Sequence, residues 1–164
     1  MRLYHGTDVV IDRPRILVPN RALDFGPGFY CTSSLAQARR WAQAVARRHH
    51  SLRPVVHAYD FDSGRQDGLR VKRFPAPTVE WLEFIAAQRL SAYRGPTFDL
   101  IIGPVANDRT IPVVQQYLQA DDKAAFAPLA IALIKPENLA DQHVFATCEA
   151  LERLTLREVS DATG

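Results

Sequence analysis

Cysteine is scarce. Cys31 and Cys148 are the only two among 164 residues, too few for the disulfide framework of a secreted mini-scaffold or for a four-ligand zinc site. No apolar run approaches the roughly 18 residues of a membrane span. The opening MRLYHGTDVV lacks the apolar stretch of a secretory signal, so a cytoplasmic location is expected. Neither charge dominates: 20 Lys and Arg face 18 Asp and Glu, a net charge of +2 too small by itself to argue for nucleic acid. Internal repeats and low-complexity stretches are missing as well. These absences exclude membrane-spanning, collagen-like, coiled-coil and disordered classes. What is present, 47% apolar and 23% charged residues, is the balance of a soluble globular protein. One domain over residues 1–160 with a short tail at 161–164 is expected. A chain of this length buries about two-thirds of its unfolded surface without covalent staples.

The local patterns predict a mixed α+β architecture with several short strands. Residues 1–4 read as a strand running into His5-Gly6-Thr7, followed by a loop-rich connection punctuated by Asp12, Pro14, Pro19 and Asn20. Residues 24–32, DFGPGFYCT, pass from a Gly-Pro-Gly turn into an aromatic strand. Ser34 and Gln37 form a capping-box signal for a helix. Leu35, Ala38, Trp41, Ala42 and Val45 are expected on its inner face, with Arg39, Arg40, Arg47 and Arg48 opposite. Strands follow at 55–61 and 69–73, and Thr78 caps a helix that turns Trp81, Leu82, Ile85 and Ala86 inward. A strand at 98–102, helices at 111–118 and 123–134, and strands at 142–147 and 154–159 complete the reading.

Three pieces far apart in sequence then combine: Tyr4-His5-Gly6-Thr7, Gly26-Pro27-Gly28-Phe29-Tyr30-Cys31-Thr32 with its capped helix, and Asp141-Gln142-His143-Val144-Phe145. In this order they resemble the ADP-ribosyltransferase superfamily in its His-Tyr-Glu branch, shared by diphtheria-type toxins and poly(ADP-ribose) polymerases. Within it the chain looks most like a bacterial group that sits beside toxin–antitoxin-type partners. The resemblance implies a split pair of small, mainly antiparallel sheets with peripheral helices and a NAD cleft between them. It places His5 on the adenosine ribose of NAD, through an imidazole that can donate and accept. Gly6 would grip the nicotinamide carboxamide with its backbone, with Thr7 beside it. Gly26 and Gly28 would shape the turn that delivers the next strand, where Gly28, Phe29 and Tyr30 would contact NAD, the Tyr30 ring stacking on the nicotinamide.

The third motif departs from the branch. Gln142 stands where its catalytic glutamate opens the strand. A glutamine can hold a ribose hydroxyl but brings no charge to an oxocarbenium-like transition state, a loss that matters by orders of magnitude in a dry site. Asp141 is the neighbouring carboxylate, ranked second because adjacent strand residues face opposite ways. The resemblance thus implies a mono-ADP-ribosyltransferase with NAD as co-substrate and no metal, His5, Tyr30 and Gln142 forming the catalytic set. The acceptor would be a protein or a nucleic acid, and a neutralising antitoxin a further partner. Alternatives are a NAD glycohydrolase, an RNA 2′-phosphotransferase-like enzyme, and an inactive NAD- or partner-binding module that the missing glutamate favours.

Plainer readings stand beside these. His5 fits a structural hydrogen-bonder, Gly-Pro-Gly a simple turn, and Tyr30 a half-buried strand residue with its hydroxyl satisfied. Gln142 fits a polar edge-strand residue. Asn107, Asp108 and Arg109 follow Gly103-Pro104 and suit either an Asx-turn or contacts with substrate in the cleft. The arginine face of the first long helix is a solvated surface or a steering field for an anionic target. His49-His50 lacks a metal-ligand set, and both Trp41 and Trp81 are expected in the core.

Overall fold

The structure is a computed structural model that describes residues 1–17, 23–64, 68–91, 93–95, 97–105, 111–134 and 140–163. β-branched and aromatic residues set the strands. β1 (Arg2–Thr7), β3 (Val55–Phe61) and β7 (Leu154–Asp161) form an antiparallel sheet in the order β1-β3-β7. Its register runs from Arg2 opposite Asp60 to Thr7 opposite Val55, and a bulge at Ala58/Tyr59 breaks the β3–β7 ladder. The second sheet contains β2 (Phe29–Cys31), β6 (Asp141–Phe145), β5 (Leu100–Pro104) and β4 (Val71–Arg73), ordered β2-β6-β5-β4. Only its β4–β5 pair is parallel. The fold is α+β, with two small and mainly antiparallel sheets and, among the described residues, five helices: α1 (Leu35–His49), α2 (Val79–Arg89), α3 (Ile111–Gln119), α4 (Lys123–Ile134) and α5 (Cys148–Leu151).

The period of two assigns the faces. Leu3, Tyr59 and Phe61 from the first sheet meet Phe29, Cys31, Leu100 and Phe145 from the second in a shared core. On the outer face of the four-stranded sheet, α2, α3 and α4 bury Trp81, Leu82, Ile85, Val114 and Tyr117 around Ile101 and Val144. Each such side chain, fully buried, contributes about 1.5–3 kcal/mol. No helix among the described residues is long and apolar enough to cross a membrane.

α1 covers the outer face of the three-stranded sheet in a different manner. Ser34 caps it as expected, its hydroxyl accepting from the Gln37 N–H at 3.3 Å. The return half of the capping box is replaced: Thr32 Oγ1 takes the Ser34 N–H at 3.1 Å, and Gln37 Oε1 faces that same hydroxyl at 3.3 Å. The helix ends on His50 in the left-handed region, φ 54°. Its buried face consists of Ala38, Ala42 and Ala46. A Cβ on Gly6 would lie 2.1 Å from the Ala38 carbonyl oxygen and 2.9 Å from the Ala42 nitrogen, so β1 and α1 touch backbone to backbone. Such close approach leaves no room for an indole. Trp41, expected in the core, stands outside it at 47% exposure, whereas Trp81 is fully buried as expected.

Candidate functional site

β1 and β2 meet at one point. Tyr4 and Thr32 exchange backbone hydrogen bonds of 2.8 and 2.9 Å, the only backbone bonds between the two strand segments among the described residues. Beyond this pair the strands belong to different sheets. Because the N–H and C=O of Tyr4 point to the β2 side, strand alternation turns those of Gly6 to the same side. The requirement for glycine at this position is met by α1, whose backbone fills the space of a Cβ.

His5 crosses the seam. Its Nδ1 donates to the Tyr30 carbonyl at 2.7 Å, and its ring stacks on Phe29 with centroids 4.3 Å apart. A carbonyl only accepts, so Nδ1 carries the proton and Nε2 presents a lone pair. Burial lowers this imidazole to about 4, against the opposing pull of the Tyr30 carbonyl and with a smaller push from His57. His5 is therefore neutral near pH 7. His57, directly opposite on β3, is fully buried and accepts the Ile11 N–H at Nε2 over 2.8 Å. Burial lowers it too. Nothing in the sequence singled out His57. The signal was its position two residues from Val55 and Tyr59, on the inward face of an apolar strand.

The Tyr30 ring takes the other face of its strand. It packs against the cluster around Trp81 and Val144, while its hydroxyl donates to the Gly26 carbonyl at 2.7 Å and accepts the Phe25 N–H at 3.2 Å. These bonds close the Gly26-Pro27-Gly28 turn, where Gly26 has φ +79°. A Cβ on Gly28 would meet Val144 Cγ1 at 2.5 Å, so this glycine lets β2 lie against β6. Thr7 is buried at the end of β1. Just beyond it, Asp8, Val9, Val10, Arg53 and Val55 line a cavity of about 270 Å³.

The strand carrying the third motif begins at Asp141, one residue earlier than expected. Tyr30 is paired with Val144, so alternation sets Gln142 on the Tyr30 face and Asp141 and His143 on the other. Gln142 is only 5% exposed, and its Nε2 donates to the Pro104 carbonyl at 3.3 Å. The Trp81 indole donates to that same oxygen at 3.1 Å. Asp141 Oδ1 accepts from Thr32 Oγ1 at 3.0 Å and from the Ser33 N–H at 2.8 Å, and Oδ2 accepts from His143 Nε2 at 3.0 Å. Burial pushes the Asp141 carboxyl up, but the bonds from His143 and Ser33 outweigh it and hold the group well below the usual carboxylate range. Asp141 is thus an ionised fastening between β6 and the start of α1, a role that the sequence reading did not assign.

The structure brings His5, Phe29, the Tyr30 backbone and Gly6 together at the seam, and it fastens Asp141 to Thr32 of the Tyr4–Thr32 bridge and to Ser33 beside it. It sets the Tyr30 ring and Gln142 on one shared face of the four-stranded sheet. Asn107, Asp108 and Arg109 lie outside the described residues. No group of three or more His, Cys, Asp or Glu among the described residues could hold a metal ion.

No curated protein matches the chain, and no solved structure does. A family model described as a protein of unknown function (DUF3990) matches residues 1–156 of the 164, and the chain therefore belongs to the DUF3990 family.

Proposed function

We propose that this protein is a NAD-dependent mono-ADP-ribosyltransferase of the ADP-ribosyltransferase type, with its substrate cleft along the β1–β2 seam. The observation that carries the reading is His5. A neutral imidazole fixed at Nδ1 by the Tyr30 carbonyl offers Nε2 as an acceptor, which suits a ribose hydroxyl. Gly6 adds support, since strand alternation turns an N–H and a C=O to the side where β2 diverges, the pair of groups that a carboxamide complements.

In the proposed reaction the C1′–N bond of NAD breaks and its electron pair goes to the nicotinamide nitrogen, which leaves neutral. The acceptor's lone pair then bonds to C1′, and its proton passes to water. The protein contributes orientation: His5 holds one ribose, Gly6 and the Tyr30 ring hold the nicotinamide, and the Gln142 carboxamide holds the second ribose. Gln142 must exchange its bond to the Pro104 carbonyl for this role.

The test is nicotinamide release from NAD by purified protein, with and without cell extract, beside His5→Ala. Release that requires His5 is expected, and dependence on extract separates transfer from hydrolysis. A second reading, an inactive NAD- or partner-binding module, draws on the internal bonds that engage both Gln142 and Asp141. NAD binding by calorimetry without release under any condition favours that reading. Absence of both release and binding overturns the NAD assignment.

A further inference from the structure

The outer face of α1 has no part in the seam. Its composition is unusual: LAQARRWAQAVARRH contains four arginines and no carboxylate. Arg40, Trp41, Ala44, Arg47 and Arg48 recur at i, i+1, i+4, i+7 and i+8, one stripe of a helix. Arg40, Trp41, Arg47 and Arg48 are all exposed. The Arg48 guanidinium lies 5.1 Å from the Trp41 ring centroid, which turns a cation and an aromatic surface outward together. None of the ion pairs among the described residues engages an arginine of α1. The helix packs on β1 and β3, and Asp8 lies against the His49 ring at 3.0 Å.

This stripe belongs to a wider asymmetry. Residues 1–54 contain nine arginines against three carboxylates, whereas residues 55–164 contain eleven cations against fifteen carboxylates. No lysine occurs before Lys72. Of the three early carboxylates, Asp24 pairs with Arg89 and Asp8 hydrogen-bonds the His49 ring. A near-neutral total thus conceals a positive end. Guanidinium forks match phosphate oxygens in a way that an ammonium does not.

We propose that the stripe of Arg40, Trp41, Arg47 and Arg48 is a docking surface for single-stranded nucleic acid. From Arg40 to Arg48 the helix rises about 12 Å, room for about three phosphates at the ~3.4 Å rise per strand of B-DNA. Arginines supply the sequence-independent backbone contact, and Trp41 offers a face on which an unpaired base can stack. An anionic membrane fits less well. A surface helix inserts a broad apolar face, and the apolar face of α1 is already spent on the three-stranded sheet.

The inference is independent of the NAD reading, because its test contains no NAD. A fluorescent oligo-dT or oligo-rU is titrated with the full chain, with anisotropy read over a range of salt. Three arginine contacts predict a slope of log K against log [salt] of about −2. The charge reversal Arg40→Glu/Arg47→Glu/Arg48→Glu, checked for an unchanged melt, is expected to abolish binding at the highest concentration reached. Trp41→Ala is expected to weaken it on the order of tenfold and to remove the quenching of tryptophan fluorescence by the oligonucleotide. No binding at low salt overturns the proposal, as does binding that survives the charge reversal. Equal or tighter binding to phosphatidylserine vesicles or to polyglutamate also overturns it, in favour of a membrane or an acidic protein.

Discussion

The two sheets are covered in opposite ways. On the four-stranded sheet, large side chains separate the layers: Trp81, Leu82, Phe84 and Ile85 from α2 meet Val114 and Tyr117 from α3. On the three-stranded sheet, alanines of α1 lie so close to β1 that Gly6 has no space for a methyl group. The first interface is a layer of rotamers that can adjust. The second is a contact of two backbones, which cannot. This difference holds the strand bearing His5 and Gly6 rigidly, and it frees the outer positions of α1, Trp41 among them, from any duty in the core.

Gly6→Ala breaks the comparison most directly. Its added methyl must displace α1, and a cost of about 3 kcal/mol or more is expected. For a chain of this size that is a fall in Tm of roughly 6–12 °C. A melt within a degree or two of wild type would mean that the helix slides freely. Asp141→Asn tests the fastening between the two halves, with an expected cost of about 1–2 kcal/mol at neutral pH. Because the folded carboxyl lies below its unfolded value, its contribution is present above about pH 4 and is lost as pH falls further. The variant's stability should therefore depend less steeply on pH below 4. His5 acts in another window. Its lowered imidazole, about 4, makes the unfolded chain bind more protons between pH 4 and 6.5, so stability falls as pH drops through that range. Denaturant titrations across pH should leave this second slope intact in Asp141→Asn. Ile85→Val, a small deletion in the adaptable layer, should cost only about 1 kcal/mol.

Much of this fold was legible. β-prone and apolar stretches between turn residues located the seven strands of the described residues, with ends off by a few positions, and Ser34 and Thr78 cap helices as expected. The error at Trp41 shows the limit of periodicity. At i, i+3 and i+4 spacing from Ala38 and Ala42 an indole looks inward, and only the close approach of β1, determined by a glycine far away in sequence, excludes it. The site was legible as three motifs but not as a hydrogen-bond network. That His5 would reach the Tyr30 carbonyl instead of its ring, or that Asp141 would bind Thr32, Ser33 and His143 together, depends on a strand crossing that no local pattern encodes.

The sheet bearing His5 has a consequence for how the chain folds. Its central strand, β3, pairs on one side with β1 and on the other with β7, where Val55 faces Asp161, more than a hundred positions later. Arg2 and Arg157, near opposite ends of the sequence, both hold the Asp60 carboxylate. Contacts this distant in sequence are slow to form, because the closure entropy precedes the reward. On a ribosome, β3 would wait for its second neighbour until β7 emerged. The frame around His5 would then be completed only after β7 had docked on β3.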